Sequence, residues 1–282
     1  MGTLAAHRRR LLRALAVLVA LGGLVLGVLW LLQRQLIYFP DTAPVPPAAS
    51  VLEGGRDITL HTEDGLDLDA WFAPPRPAAG EDDRDLAVLV APGNGGNRLS
   101  RAGFAEELTR RGFSVLLLDY RGYGGNPGSP TEEGLLHDAL AATDALDGLG
   151  FPPERTIYFG ESLGTGVVAA LQDQRPPAGV VLRSPFPELA AVGSHHYPWL
   201  PVRLLLRDRF PVVEHLATSD VPVTVVYGDR DSIVPTGLSA EVADEAPALV
   251  ERVVIEGADH NDPVMFGPRV ADAVARLADR VG

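Results

Sequence analysis

The sequence contains no cysteine. Disulfide bonds, cysteine-bound metal ions and a cysteine nucleophile are therefore excluded. Lysine is also absent, because all 24 basic residues are arginine. The glycine-rich phosphate loop that ends in lysine is thus missing, which disfavours nucleotide binding.

Charge of one sign dominates most of the chain. The formal net charge is −13, but the first 35 residues hold five arginines and no acidic residue, so the remainder carries −18. A body this acidic repels phosphate backbones. We therefore predict no nucleic-acid partner, and we predict no cofactor and no metal ion.

A long stretch without charge follows the arginine cluster, over residues 14–32. At ~1.5 Å per residue it spans most of a ~30 Å hydrocarbon core, which predicts a transmembrane anchor. The alternative is a cleaved signal peptide, but its apolar region should be only ~7–15 residues long with small residues behind it. Here the run is longer and is followed by Gln33-Arg34-Gln35-Leu36.

The arginines before the span predict a single-pass protein of the cell membrane with a cytoplasmic basic segment at 1–13. Residues 33–55 include the proline-rich run 41–50 and are predicted to form a linker. The main domain, 56–282, is then expected outside the cytoplasm.

Eight strands are predicted in the body. Two alternating runs, 57–62 and 66–72, are joined by an Asp-Gly turn and predict an antiparallel hairpin. Six apolar runs follow, at 86–91, 114–119, 156–159, 179–183, 222–228 and 250–257. Helical stretches separate them, and one is predicted to begin with a capping box at Ser129–Glu132. The alternation predicts an α/β fold with a mostly parallel sheet covered by helices on both faces.

One interval, 186–220, contains no obvious strand. In an α/β sheet such an insertion lies over the carboxyl ends of the strands, where ligands bind. We interpret it as a small cap. Its apolar residues either line a slot for an acyl chain or pack the cap onto the sheet: Trp199, Leu200, Leu204, Leu205, Leu206 and Phe210.

The segment FGESLGTGVV, 159–168, joins a predicted strand to a predicted helix. Gly160 and Gly164 permit a tight turn at this junction, and Ser162 at its corner projects its hydroxyl above the sheet. The following helix directs its N-terminal N–H groups to the same place. In this context Ser162 is the predicted nucleophile.

A serine nucleophile needs a base, and an acid orients that base. His260 follows the last strand and is the predicted base. The acid should follow the strand at 222–228, which offers Asp229 and Asp231; we choose Asp231, leaving Asp229 to close the turn and Asp262 as a weaker alternative. The other histidines precede the serine or lie in the cap: His7, His61, His137, His195, His196 and His215.

Two backbone N–H groups should stabilise the oxyanion. Leu163 follows the nucleophile directly. Asn94 lies in the glycine-rich loop APGNGGN, which follows the first buried strand, and is the second predicted donor.

The chain resembles the membrane-anchored serine hydrolases of the α/β-hydrolase superfamily, in the branch of bud-emergence proteins and protein depalmitoylases. The resemblance rests on QLIYFP, GNGGN, the block LLLDYRGYGGNPGSPTEEGL at 117–135, FGESLGTGVV, SPF, YGDRDSIVP and DHND. It implies the α/β-hydrolase fold and the same three residues as a catalytic triad. Where the family usually has His-Gly-Asn, this chain has Pro92-Gly93-Asn94, so a side chain that normally braces the loop is missing.

These observations predict a membrane-tethered serine hydrolase that cleaves small or lipid-like acyl esters or thioesters through an acyl-enzyme. Two alternatives remain open: a serine peptidase, which differs only in its substrate, and a non-catalytic scaffold that keeps the fold for binding.

Overall fold

The computed structural model describes residues 2–77, 79 and 82–282, which form two compact units, one ending at Tyr38 and one running from Phe39 to Gly282. The first unit is a single helix, α1 (Gly2–Ile37). Its segment Arg10–Ile37 has a mean hydropathy of 2.7 and is long and apolar enough to cross a membrane, although a signal sequence would meet the same criteria. The predicted span 14–32 lies inside this helix.

The second unit contains the strands and the remaining helices. The strands are β1 (Phe39–Pro40), β2 (Arg56–His61), β3 (Asp67–Ala73), β4 (Ala87–Ala91), β5 (Gly95–Gly96), β6 (Ser114–Leu117), β7 (Thr156–Glu161), β8 (Gly179–Arg183), β9 (Val223–Gly228) and β10 (Leu249–Ile255). The α-helices are α2 (Ala102–Thr109), α3 (Glu132–Gly148), α4 (Leu163–Gln174), α5 (Leu189–His196), α6 (Val202–Leu205), α7 (Val212–Leu216), α8 (Thr236–Glu245) and α9 (Pro268–Val281).

Eight of these strands form one sheet in the order β10-β9-β8-β7-β4-β6-β3-β2. Neighbours from β10 to β6 run parallel, and β3 and β2 add an antiparallel hairpin at one edge. The predicted α/β-hydrolase sheet is confirmed, with strand ends shifted by only one or two residues. Because β7, β8, β9 and β10 are adjacent and parallel, the loops that follow them all leave from one edge of the sheet.

Helices cover both faces of the sheet. On one face α2 contacts α9, and on the other α3, α4, α7 and α8 contact one another in series. Buried strand side chains such as Val88, Val115 and Ile157 join side chains of α2 and α9 in one apolar core. Burial of both faces explains why these strands appear in the sequence as continuous apolar runs.

Helix α3 begins later than the predicted capping box. Thr131, rather than Ser129, is its N-cap, and the Thr131 hydroxyl accepts a hydrogen bond from Gly134 N–H at 2.9 Å. The Glu132 carboxylate does not return to the cap. It accepts the N–H groups of Arg209 (2.5 Å) and Phe210 (2.7 Å), and so ties α3 to the cap segment.

The segment predicted as a linker, 33–55, differs in the structure, because residues from Phe39 onward belong to the second unit. Strand β1 pairs in parallel with β5, with Phe39 opposite Gly95. The Asp57 carboxylate accepts the N–H of Ala48 at 3.1 Å, and Leu52 is buried in the core. The proline-rich run therefore lies against the domain as an ordered strap.

Candidate active site

Ser162 occupies a sharp turn between β7 and α4. Its backbone has φ 50° and ψ −114°, a left-handed value of φ that is uncommon for a residue other than glycine. Such a conformation costs ~1–3 kcal/mol and persists only where the surroundings enforce it. The predicted strand-to-helix corner is therefore present, and it holds its serine under strain.

Two glycines make this corner possible. A Cβ atom at Gly160 would lie 2.6 Å from the carbonyl oxygen of Gly164, and one at Gly164 would collide with the carbonyl oxygens of Ala91 and Pro92. Only glycine allows α4 to approach β4 and β7 this closely. Leu163, the predicted first oxyanion donor, is the first residue of α4, where N–H groups have no partner within the helix.

His260 and Asp231 are in direct contact. His260 Nδ1 lies 2.7 Å from Asp231 Oδ2, and both residues are buried. The other carboxylate oxygen, Oδ1, accepts the N–H groups of Ile233 at 3.0 Å and Val234 at 2.8 Å. An ionised Asp231 in this position accepts a hydrogen bond from Nδ1–H, which leaves Nε2 as the nitrogen able to take a proton.

The pKa of Asp231 reflects opposing effects. Burial by itself would raise it, but the hydrogen bond and charge interaction with His260, together with the N–H of Val234, outweigh burial and lower the pKa below its usual value. Asp231 therefore stays ionised at neutral pH.

The alternative acids have other partners. Asp229 accepts the N–H of Gly257 at 2.6 Å and so closes the turn after β10. Asp262 accepts the N–H of Asp259 at 2.8 Å, while Asp259 accepts the N–H of His260 and the hydroxyl of Ser232. These bonds fix the turns around His260. Of the three acids considered, Asp231 is therefore the one that bonds the imidazole ring.

Arg183 connects the serine turn to the histidine loop. Ser162 N–H donates to the carbonyl of Arg183 at 2.8 Å, and Arg183 Nη1 donates to the carbonyl of His260 at 2.8 Å. Arg183 is fully buried and its guanidinium lies 4.4 Å from the ring centroid of Phe266. Arg183 thus contacts the backbone of the predicted nucleophile through its own carbonyl and the backbone of the predicted base through its guanidinium.

A buried ion network surrounds Arg183. Glu161, directly before Ser162, pairs with Arg183 Nη2 at 3.0 Å and forms two hydrogen bonds with Arg101, at 3.0 Å and 2.8 Å. Burial alone would raise the pKa of Glu161, but Arg101 and Arg183 together lower it to about 2. We call Arg101, Glu161 and Arg183 the buried triplet.

The loop that contains Asn94, the second predicted oxyanion donor, is braced from several sides. Tyr120 donates its hydroxyl to the carbonyl of Pro92 at 3.2 Å, and Tyr123 donates to the carbonyl of Asn94 at 2.9 Å. Phe39 N–H donates to the same Asn94 carbonyl at 2.8 Å. Burial raises the pKa of both tyrosines, so their hydroxyls remain protonated donors. The tyrosines of the YRGYG block and β1 hold this loop although Pro92 offers no polar side chain.

The six apolar cap residues differ in burial, and three of them are half-buried: Leu200, Leu205 and Leu206. Phe210 is buried and packs against α4, where a Cβ atom on Gly166 would lie 2.6 Å from Phe210 Cβ. Trp199 and Leu204 are 71% and 86% exposed. Phe210 therefore holds the cap, whereas Trp199 and Leu204 do not line an enclosed slot.

Neither the buried triplet nor the loop braces were predicted from the sequence. One signal was available, because Glu161 and Arg183 each end an apolar run that forms a buried strand. A charge in such a position has to find a buried partner. Among the described residues, no group of three or more His, Asp or Glu side chains could hold a metal ion.

Comparison with known proteins places this geometry in a family. The model of a family described as serine aminopeptidase, S33, matches residues 82–210. The uncharacterized protein Rv2307c of Mycobacterium tuberculosis is 47% identical over 272 residues, covering 96% of this chain and 95% of that protein. The alpha/beta hydrolase domain-containing protein 17C of Xenopus tropicalis is 31% identical over 73% of this chain and 64% of that protein.

Solved structures share the fold. The esterase Pf2001 of Pyrococcus furiosus superposes with a TM-score of 0.67 at 19% identity, covering 87% of this chain and 97% of that one. The esterase domain of a Rhodothermus marinus protein superposes with a TM-score of 0.61 at 20% identity, covering 81% of this chain and 100% of that one. Fold and relatives together define a hydrolase. The chain belongs to the α/β-hydrolase superfamily.

Proposed function

We propose that the protein is a membrane-tethered serine hydrolase that cleaves carboxylic ester or thioester bonds through a covalent acyl-enzyme. One observation carries this proposal: Ser162 stands on a strained turn at the sheet edge that also presents the buried His260–Asp231 contact. Strain at a serine and a buried acid–histidine pair are both costly, and a catalytic role explains them together.

In the proposed reaction, Ser162 Oγ attacks the acyl carbon while its proton passes to His260 Nε2. Asp231 holds the imidazole through Nδ1 and stabilises the imidazolium that forms. The N–H groups of Leu163 and Asn94 stabilise the negative oxygen of the tetrahedral intermediate. His260 then returns the proton to the departing alcohol or thiol, and the bond between the acyl carbon and Ser162 Oγ remains.

Water completes the cycle. His260 takes a proton from a water molecule that attacks the acyl carbon, and the collapse of the second intermediate breaks the bond to Ser162 Oγ. The proton returns to Ser162 and the carboxylic acid leaves. No metal or cofactor takes part in these steps.

Activity-based labelling tests the nucleophile. A fluorophosphonate probe should label the wild-type protein in the membrane fraction, with the adduct on the peptide that contains Ser162. Ser162→Ala should abolish labelling, while Ser50→Ala, at an exposed position of the proline-rich strap, should keep it. Equal labelling of wild type and Ser162→Ala would show that the nucleophile is misassigned, and no labelling of the wild type would favour the scaffold alternative.

A serine peptidase is the second possibility, because the matching family is described as a serine aminopeptidase. It uses the same residues and differs only in the bond that is cleaved. Parallel assays with p-nitrophenyl esters and with aminoacyl anilides distinguish the two. A higher kcat/KM for the anilides would replace the esterase assignment with a peptidase one.

The anchor is a separate part of the proposal. The apolar segment of α1 and the arginines before it support a single membrane span with a cytoplasmic N-terminus. Protease added to spheroplasts should then digest the catalytic domain, while an intact inner membrane protects the basic segment. Accumulation of a soluble domain that starts near residue 35 would identify α1 as a signal peptide instead.

A further inference from the structure

The connection between α5 and α6 presents an unusual apolar surface. Leu204 and Trp199 are the two most exposed large apolar side chains described in residues 39–282, at 86% and 71%, and Tyr197 is 54% exposed. Single exposed apolar residues are ordinary, but three large ones within eight positions are not. We call Tyr197, Trp199 and Leu204 the cap patch.

The cap patch is exposed although the helices that carry it are packed. Gly193 of α5 lies against Val202 of α6, since a Cβ atom at Gly193 would be 2.8 Å from Val202 Cγ1. Val202 is buried, and Phe210 fixes the end of the segment to α4. The cap therefore already has one buried apolar side, and the patch forms a second side that the described residues leave in solvent.

The exposed charges beside the patch are positive. Arg203, Arg207 and Arg209 are exposed, whereas Asp208, the only acidic residue between 197 and 210, is buried. Glu188 pairs with both Arg203 at 2.9 Å and Arg209 at 3.5 Å but is itself largely covered, so one carboxylate faces two of the three arginines. In a domain with a formal charge of −18, this face is an exception to the acidic surface.

The patch adjoins the candidate active site. His196 Nε2 lies 2.8 Å from the carbonyl of Ile233, whose own N–H donates to Asp231 Oδ1 at 3.0 Å. Ile233 is 45% exposed and extends the apolar surface from the cap to the acid loop. A surface that binds the cap patch would therefore also contact the loop that carries Asp231, the predicted acid.

We propose that the cap patch docks on an anionic lipid surface and delivers bilayer-resident acyl esters to Ser162. Aromatic and aliphatic side chains flanked by arginines are typical of elements that lie in the membrane interface, where arginine keeps its charge among headgroups. Chain connectivity favours the same occupant, because Tyr38 alone separates the end of the apolar helix from the first strand. A weak docking surface suffices when an anchor keeps the domain near the bilayer. The substrate part rests on the proposed hydrolase activity, whereas docking rests only on the proposed membrane anchor.

Tryptophan fluorescence tests docking in the full-length protein. The chain has three tryptophans, and Trp71 is fully buried in the core. In a Trp30→Phe background, nanodiscs with brominated anionic lipids should quench the emission of Trp199, while Trp71 serves as an unquenched internal reference. The Trp30→Phe, Trp199→Phe protein should show no quenching.

Two results would overturn the docking proposal. Equal emission of the Trp30→Phe protein in brominated and plain discs would mean that Trp199 does not enter lipid. Quenching of equal strength in brominated discs without anionic lipid would show that the arginines do not contribute to binding. The surface would then bind lipid without selectivity for anionic headgroups.

Activity on two substrates tests delivery. Leu204→Glu should lower kcat/KM for an ester embedded in the nanodisc about tenfold, because a charge replaces an inserted apolar side chain. Hydrolysis of water-soluble p-nitrophenyl acetate should stay unchanged, which also shows that the variant is folded. Val254→Glu, which introduces the same charge at a 42% exposed position on β10, is the matched control and should leave both activities unchanged.

Each outcome has one meaning. Equal losses on both substrates, or no loss on either, would overturn delivery through the patch. Absence of all hydrolysis and of fluorophosphonate labelling in the wild type would instead overturn the proposed function, and the quenching result would still decide whether the patch binds lipid.

Discussion

The buried triplet and the cap patch differ in almost every physical respect. Arg101, Glu161 and Arg183 are nearly inaccessible to solvent and are joined by hydrogen bonds and ion pairs of 2.8–3.0 Å. Trp199 and Leu204, by contrast, are mostly exposed. Buried charges tolerate little displacement, because each must keep its partners. The region next to Ser162 is thus held in one arrangement, while the cap keeps a surface available for something outside the chain.

The largest effect on kcat should come from mutation of His260 and Asp231, which lie beside the buried triplet, and not from mutation of the cap patch. We expect His260→Ala and Asp231→Asn each to lower kcat by about four orders of magnitude, because the base and its orienting acid act as one unit. Asp229→Asn is the matched control, since its amide oxygen can still accept the N–H of Gly257. Steady-state kinetics on a soluble ester measures the effects. A severe loss in Asp229→Asn with a mild one in Asp231→Asn would reverse the assignment of the acid.

The next effect concerns Arg183. Lysine at this position keeps the charge but cannot donate both to the His260 carbonyl and to Glu161 with the same geometry. We expect Arg183→Lys to lower kcat by about tenfold to a hundredfold with little change in KM, because the contacts of the guanidinium with the His260 carbonyl and with Glu161, the residue before Ser162, are loosened. Arg209→Lys in the cap should leave kcat unchanged. A fall in the melting temperature without any change in kcat would assign Arg183 to stability alone.

A third effect depends on pH. The folded-state pKa of Glu161 is lowered to about 2 from an ordinary value of 4.5, so its ionisation stabilises the fold above pH 4.5, and this contribution is lost as the pH falls toward 2. Glu161→Gln should remove this part of the acid dependence and lower the stability at pH 7 by several kcal/mol, because two buried arginines lose their counter-charge.

Urea unfolding between pH 7 and pH 2.5 measures this effect. Glu214→Gln, on the surface helix α7, provides the control and should unfold as the wild type does. A stability of Glu161→Gln equal to that of the wild type at pH 7 would mean that the triplet contributes no net stabilisation.

The smallest effect should come from the exposed side of the cap, and the buried side of the cap provides the contrast. Phe210→Ala removes a buried ring that packs on α4 and should destabilise the protein by about 3–5 kcal/mol. Trp199→Ala removes a larger but exposed side chain and should change stability by less than about 0.5 kcal/mol. Thermal unfolding of both variants tests this contrast. A destabilisation by Trp199→Ala as large as that by Phe210→Ala would show that the patch is a structural surface in solution.

Features with a local signal could be predicted from the sequence. The strands at 86–91 and 179–183 are continuous apolar runs, and their ends in the structure differ by at most one residue. Gly160 and Gly164, two positions before and after Ser162, indicate a tight turn, since glycine permits the close approach of α4 to the strands. The contact of Asp231, rather than Asp229, with His260 could be expected, because position after the strand is itself a local property.

Features that depend on distant partners could not be predicted. Proline-rich composition near residue 41 is typical of a spacer, yet β1 pairs with a strand about 55 positions away in the chain. The contact between Glu161 and Arg101 likewise joins residues 60 positions apart. Exposure of Trp199 and Leu204 could not be foreseen either, because an apolar residue predicts burial unless the packed neighbours are known.

The hydrogen bond from Phe39 to Asn94 has a consequence for release of the domain from the cell. Proteolytic shedding at any point beyond Pro40 would remove β1, and with it one brace of the proposed oxyanion loop. Cleavage before Phe39 would spare that brace. For most cut sites, shedding would then also loosen the proposed oxyanion loop, and a secreted form that keeps every brace of that loop would have to begin within a window of very few residues.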